Sequence, residues 1–100
     1  MPTYEALPRF IADLNRLTPA QRRRFLRTVP IFVEDLREGR FRAGLRVKRV
    51  RGTSGIYEIS WSMGAGPPGR ATWAYGPERH PGTPHVIWRR IGTHDILAGP

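Results

Sequence analysis

The sequence predicts an α+β fold in which an N-terminal helical hairpin packs on one face of a small antiparallel β-sheet. Two observations support this prediction. From Leu7 to Leu36 apolar residues recur every three or four positions, which is the period of an amphipathic helix. After Gly44 the period falls to two, which is the period of a half-buried strand. Helices followed by a run of strands are typical of α+β domains.

The helical part divides into two helices at Leu17–Thr18. The first is predicted from about Pro8 to Arg16. Thr18 then supplies an N-cap hydroxyl, and Gln21, three residues later, completes a capping box that opens the second helix. Gly39 is expected to end that helix, and Pro30 is expected to kink or split it, because proline removes one backbone hydrogen bond.

Four strands are expected in the second half, and the residues before Pro8 show no clear strand pattern. Gly- and Pro-rich segments between the strands predict turns, including a long loop over residues 77–84. The four strand segments are LRVKRV (45–50), IYEISWS (56–62), RATWAYG (70–76) and HVIWRRI (85–91).

The alternation within these strands assigns their two faces. Tyr57, Ile59, Trp61 and Trp73 share one parity, so these aromatic residues are interpreted as core and not as platforms for stacking bases. The opposite face is expected to be an open, positively charged surface. Its predicted members are Arg46, Lys48, Glu58, Ser60, Ser62, Arg70, Thr72 and Ala74.

Length and composition limit the number of domains and the classes of partner expected for this chain. One hundred residues predict a single domain spanning residues 1–100, and a net charge of +9 favours an anionic partner such as nucleic acid, a membrane surface or an acidic protein. Sixteen of the 17 basic residues are arginine, which suits phosphate binding but is equally a product of a GC-rich genome.

With no cysteine and three scattered histidines, neither a metal site nor a cofactor is expected. The absence of a leader pattern or a long apolar run predicts a cytoplasmic protein with no membrane partner.

The residues that carry chemistry fit RNA cleavage without a metal, which needs a base, an acid and cations around the phosphate. His94, just after the last strand, is the candidate proton-transfer group, and Arg70 is the candidate catalytic cation. Glu58 is a candidate general base. The candidate RNA-binding residues are Arg46, Lys48, Arg49 and Arg51.

Each assignment has a structural alternative. His94 and Asp95 could make local turn hydrogen bonds, and Arg70 could be an ordinary solvated arginine. Glu58 could pair with a neighbouring basic residue, and the basic cluster could protect an edge strand from aggregation.

The order of these motifs resembles the RelE/ParE superfamily of bacterial type II toxins. The similarity runs from about Phe10 to Leu97, through LRVKRVRGTSGIYEISWS, the Gly-Arg that opens GRATWAYG, and VIWRRIGTHDIL. It implies a toxin of the RelE/YafQ-like branch that cleaves messenger RNA as a ribosome-dependent endoribonuclease by attack of the ribose 2′-hydroxyl. Arg70 then matches the arginine that stabilises the phosphate, and His94 matches the histidine of the C-terminal motif.

The resemblance also implies partners and an alternative. The partners are a cognate antitoxin protein, forming a toxin–antitoxin hetero-oligomer, together with mRNA and the 16S rRNA region of the ribosome. RelE has two lysines where this chain has Glu58 and Ser60, so the alternative is a ParE-like non-nucleolytic toxin or an inactive RNA-binding domain of the same fold.

Overall fold

A computed structural model describes residues 2–100, and it confirms the α+β class with a helical hairpin at the N-terminal end packed on a sheet. Short 3₁₀ helices occupy Ala43–Leu45 and His94–Ala98. The sheet has the strand order β1-β5-β4-β3-β2. The elements are β1 (Thr3–Ala6), α1 (Pro8–Arg16), α2 (Pro19–Glu38), β2 (Lys48–Arg49), β3 (Tyr57–Trp61), β4 (Gly69–His80) and β5 (Thr83–Gly92).

The first strand, β1, corrects the expectation of a purely antiparallel sheet. It pairs with β5 in parallel, with Thr3 opposite His85 and Ala6 opposite Trp88, so the sheet is mixed. Four residues are too few to display a period of two, which explains why the pattern before Pro8 gave no signal. The other pairings in the sheet are antiparallel.

Helix α2 begins and ends as predicted. Thr18 accepts a hydrogen bond from the Gln21 amide, Gln21 accepts one from the Thr18 amide, and Gly39 ends the helix at φ +73°. Of the expected kink or split at Pro30, the split is wrong, because the helix runs without interruption from Pro19 to Glu38. Pro30 lies on the exposed side, where the carbonyl of Leu26 that it leaves unpaired can be hydrated.

Two buried carboxylates tie the helices to later parts of the chain. Asp13 on α1 accepts hydrogen bonds from Nε of Arg90 at 2.6 Å and from the backbone amide of Ile91 at 3.2 Å. Asp35 near the end of α2 accepts from the backbone amide and Nε of Arg42, both at 2.8 Å. These charge-assisted bonds satisfy carboxylates that would otherwise be costly to bury.

The core between the helices and the sheet is largely aromatic. Phe32 packs edge-on against Trp73 with ring centroids 5.0 Å apart, and Phe25 packs on Trp61 at 5.2 Å. Trp73 and Trp61 are buried and Tyr57 packs against the core while partly buried, so the interpretation of the strand aromatics as core residues is confirmed. No helix among residues 2–100 has the length and apolarity needed to cross a membrane.

The hairpin of β4 and β5 is longer than expected, so the loop predicted over residues 77–84 is wrong. Strand β4 continues to His80, which pairs with Thr83, and only Pro81 and Gly82 remain as the turn. Gly82 has φ +80°, and proline followed by glycine is the sequence that a type II turn requires. The connection between β4 and β5 is therefore a two-residue turn.

The outer face of the sheet is also less open than expected. Glu58, Ser60 and Thr72 are buried. The end of the chain crosses this face, and the Pro100 carbonyl accepts a hydrogen bond from the Thr72 hydroxyl at 3.2 Å. A covering segment of this kind leaves no periodic signal in the sequence, because backbone carbonyls make the contact.

Candidate functional site

One cleft on the outer face brings together five of the seven predicted site residues. We call it the histidine cleft, and its volume is about 730 Å³. Strand β2 and the segment after it form one side, and the C-terminal 3₁₀ helix forms another. Its lining residues are Lys48, Arg49, Val50, Arg51, Gly52, Glu58, His94 and Leu97.

The basic side of this cleft is fixed by a short antiparallel pairing. Lys48 lies opposite Glu58, and the Val50 amide donates to the Ile56 carbonyl at 2.8 Å. Val50 is buried, and this apolar contact anchors the segment while Lys48, Arg49 and Arg51 stay exposed. The result is three cationic side chains held on a short backbone segment, as phosphate binding requires.

Glu58 is the acidic member of the cleft and is 2% exposed. The Arg70 guanidinium donates from Nη1 to Glu58 Oε1, and Lys48 Nζ lies 4.0 Å from the same oxygen. The alternative that Glu58 pairs with neighbouring basic residues is therefore confirmed. Two cations beside one carboxylate leave positive charge in excess at this point of the sheet.

Arg70 is the second residue of β4 and is mostly buried, with its side chain 20% exposed. It is not an ordinary solvated arginine, since it reaches Glu58 across the strand pair. That contact uses one of the five N–H donors of its guanidinium group. Arg70 does not line the histidine cleft, and its connection to the cleft is the bond to Glu58.

His94 is the first residue of the C-terminal 3₁₀ helix and is exposed. The buried side chain of Ile96 anchors this helix against Gly92, where an added Cβ would lie 2.8 Å from Ile96 Cγ2. Asp95 accepts a hydrogen bond from the Thr93 hydroxyl at 2.8 Å, which lowers the pKa of the Asp95 carboxyl. The local turn bond thus belongs to Asp95, and it fixes the backbone that carries His94.

Arg46 is not in the histidine cleft, although the sequence placed it on the same strand face as Lys48. The expected strand over residues 45–50 is reduced to Lys48–Arg49, because Ala43–Leu45 forms a 3₁₀ turn. Arg46 follows that turn with φ +49°, which rotates it out of the strand. It lines a second cleft of about 270 Å³, which we call the serine cleft, with Gly44, Ser60, Trp61, Ser62, Met63, Gly66 and Pro68.

Arg89 and Arg90 of β5 bind the end of the chain, a role that the strand pattern does not predict. Between Thr72 and Trp73 the register with β5 shifts, and Arg89 is the extra residue of this bulge. Arg89 Nε donates to the Pro100 carbonyl, and Arg90 Nη1 donates to the Gly99 carbonyl, both at 3.0 Å. The Arg-Arg doublet, which interrupts the alternation, is the signal that could have indicated the bulge.

The helical side of the molecule carries an apolar groove of about 300 Å³, which we call the helical groove. Leu26 of α2 and Ile11 of α1 are exposed on its walls, at 61% and 46%. Arg23 precedes Leu26 by three residues and Arg37 follows Val33 by four, so exposed arginines flank the groove on α2. An apolar groove flanked by positive charge is suited to a partner segment of acidic and apolar residues.

Comparisons of the chain with protein-family models, curated proteins and solved structures find no match. Within residues 2–100, no group of three or more His, Cys, Asp and Glu side chains could hold a metal ion.

Proposed function

We propose that this chain is the toxin of a bacterial type II toxin–antitoxin system and cleaves mRNA as an endoribonuclease of the RelE/YafQ-like kind. The observation that supports the proposal best is the histidine cleft. It joins an exposed imidazole, a carboxylate and three exposed cations in one concave site. These are the groups that metal-independent RNA cleavage uses.

In the proposed reaction, Glu58 accepts the proton of a ribose 2′-hydroxyl as the 2′-oxygen attacks the adjacent phosphorus. The bond from phosphorus to the 5′-oxygen breaks, and His94 donates a proton to that oxygen. The products are a 2′,3′-cyclic phosphate and a 5′-hydroxyl, so atoms and charge balance without an added reactant. In the reverse assignment, His94 accepts the proton of the 2′-hydroxyl and Glu58 donates a proton to the 5′-oxygen, so His94 takes part in both versions.

The basic residues have two different roles in this proposal. Lys48, Arg49 and Arg51 hold the RNA backbone, because exposed basic side chains on a fixed segment bind phosphates without reading sequence. Arg70 stabilises the charge that develops on the reacting phosphate, using donors that its bond to Glu58 leaves free. The buried pair of Arg70 and Glu58 also holds the carboxylate in position.

The proposal includes its partners. The mRNA is cut in the cytoplasm while it is bound to the ribosome, near the 16S rRNA. A cognate antitoxin forms a hetero-oligomer with the toxin by placing an acidic, amphipathic segment in the helical groove. The net charge of +9 and the arginines that flank this groove support a negatively charged occupant.

Expression from a tightly controlled promoter, with mapping of mRNA 5′ ends in the same cells, tests the nuclease. We expect new 5′ ends, and we expect His94→Ala to reduce them about 10²–10⁴-fold, the usual worth of a general acid or base. His80→Ala is the matched control, because His80 is an exposed histidine at the far end of the β4–β5 hairpin. Equal cleavage by the His94→Ala variant would contradict the assignment.

A second candidate function has one observation in its favour. Arg70 is bound to Glu58 and mostly buried, which is the arrangement of a structural ion pair. A ParE-like toxin, which inhibits its target without cutting, or an inactive RNA-binding domain would have this pair for stability alone. Growth arrest without new 5′ ends would select the non-nucleolytic toxin, and no growth effect would select the inactive domain.

A further inference from the structure

The serine cleft is a second polar concavity next to the proposed catalytic site. The Ser60 side chain lies in its wall and is 5% exposed, and Ser62 stands two residues further along the chain. Ser62 Oγ accepts a hydrogen bond from the Gly64 amide at 3.1 Å, which leaves its own O–H free to donate. Trp61 and Met63 add apolar surface, and Arg46 supplies a guanidinium group.

The strand register joins this cleft to the histidine cleft. Ser60 lies directly opposite Arg70, and Arg70 is hydrogen-bonded to Glu58, which lines the histidine cleft. Glu58 and Ser60 are two residues apart on β3 and so point to the same side of the sheet, about 7 Å from each other. That separation is comparable to the length of one nucleotide in an extended single strand.

The size and chemistry of the serine cleft fit one nucleobase. Its volume of about 270 Å³ is below the range of sites for drug-sized ligands. Single-stranded RNA is recognised by stacking of bases on aromatic rings or guanidinium planes and by hydrogen bonds to their edges. Arg46 offers the plane, and the hydroxyl groups of Ser60 and Ser62 offer donors and acceptors.

We propose that the serine cleft binds the base of the nucleotide next to the reacting phosphate and thereby selects the sequence that is cut. This inference rests on the proposed function, since it names the RNA subsite beside the same catalytic group. It assigns Arg46, Ser60 and Ser62 to base recognition, whereas Lys48, Arg49 and Arg51 hold only the backbone.

Binding of non-cleavable RNA tests the subsite without requiring catalysis. The probes are four trinucleotides with 2′-O-methyl riboses that differ in one base, titrated into the full chain and followed by amide NMR shifts. We expect shifts at Ser60, Ser62 and Gly66 as well as along residues 48–52, with affinities that depend on the varied base.

Substitutions in the serine cleft then separate recognition from backbone binding. Arg46→Ala and Ser62→Ala should each weaken the preferred trinucleotide roughly tenfold and reduce the difference among the four bases, because stacking or a base contact is lost. Arg16→Ala is the matched control, since Arg16 is an exposed arginine at the end of α1 that lines neither cleft. In cells, the Arg46→Ala variant should cut mRNA at altered positions.

The outcomes distinguish the two proposals. RNA that shifts only residues 48–52 and His94, or that shifts nothing, overturns the subsite. Base-dependent binding in the serine cleft by a chain that cuts no mRNA overturns the nuclease and supports base recognition by the serine cleft alone. Cleavage at unchanged positions by both the Arg46→Ala and Ser62→Ala variants overturns the subsite and supports the nuclease.

Discussion

Arg70 and Glu58 form a buried ion pair across β3 and β4, and Lys48 stands on the far side of the same carboxylate oxygen. The pair links the two clefts, because Glu58 lines one and the cross-strand neighbour of Arg70, Ser60, lines the other. We expect removal of either partner to change both stability and site geometry.

Arg70→Ala should destabilise the protein by about 3 kcal/mol, because it leaves a carboxylate buried with only Lys48 nearby. Urea unfolding of the variant measures this loss. Adding Glu58→Gln to Arg70→Ala should recover part of the stability, since the double variant has no uncompensated charge at this position. If Arg70→Ala unfolds at the same urea concentration as the unaltered chain, the pair contributes nothing to stability.

Asp35 is expected to make the fold sensitive to acid. Its hydrogen bonds with Arg42 lower the pKa of the carboxyl below its ordinary value of 3.8. As the pH falls, the unfolded chain therefore protonates the Asp35 carboxylate before the folded protein does. The stabilisation is complete above about pH 4, and it is lost as the pH falls through the lower pKa of the folded state. Stability of the Asp35→Asn variant should depend less on pH below 3.8 than that of the unaltered chain.

The comparison requires unfolding free energies of both proteins at a series of acidic pH values. Asp95 also has a lowered pKa, from its Thr93 bond, and it is common to both proteins, so it cancels in the difference. Identical pH slopes would show that Asp35 is not the group responsible.

Leu26→Asp should abolish co-purification of the proposed antitoxin. Leu26 stands on the wall of the helical groove, and a carboxylate there would repel an acidic segment and remove apolar contact. Because Leu26 is exposed, the variant should unfold within about 0.5 kcal/mol of the unaltered chain.

Ile31→Asp is the matched control for this experiment. Ile31 is also an exposed apolar residue of α2, 38% accessible, but it does not line the groove. Antitoxin capture that survives Leu26→Asp, or that is lost equally in both variants, would place the partner elsewhere.

Gly92→Ala should displace the C-terminal 3₁₀ helix. The new methyl group would lie 2.8 Å from Ile96 Cγ2, so the anchor of His94 must move, at a cost of about 1–3 kcal/mol for overpacking. Thermal unfolding measures the stability, and amide shifts of residues 93–97 measure the displacement. Gly44→Ala, where an added Cβ meets nothing within 4 Å, is expected to leave both unchanged or slightly improved.

The parts of this molecule that the sequence predicted are those with local causes. The capping box of Thr18 and Gln21, the left-handed Gly39 and the buried parity of Ile59 and Trp73 all depend on residues near each other in the chain. Strand β1 depends on a partner about 80 residues away, and four residues carry too little pattern to reveal it.

The same distinction between local and long-range causes applies to the candidate site. Lys48, Arg49, Arg51, Glu58 and His94 were identified by residue type, and the structure brings them into one cleft. Arg46 was misplaced because a three-residue 3₁₀ turn interrupts an alternating pattern, and alternation alone cannot distinguish the two conformations. The cover over Thr72 was missed because backbone carbonyls form it.

The pairing of β1 with β5 also sets an order of events during synthesis. A hydrogen bond of 2.7 Å joins Thr3 Oγ1 to Nδ1 of His85, which lies 82 residues later in the chain. At about 5–20 residues per second, translation separates these two residues by roughly 4–16 s, during which the first strand has no neighbour. Residues 93–97, which carry and anchor His94, are made later still, so a nascent chain cannot contain a finished histidine cleft. In a toxin of the kind proposed above, the cleft would therefore stay incomplete until the C-terminal 3₁₀ helix has been made.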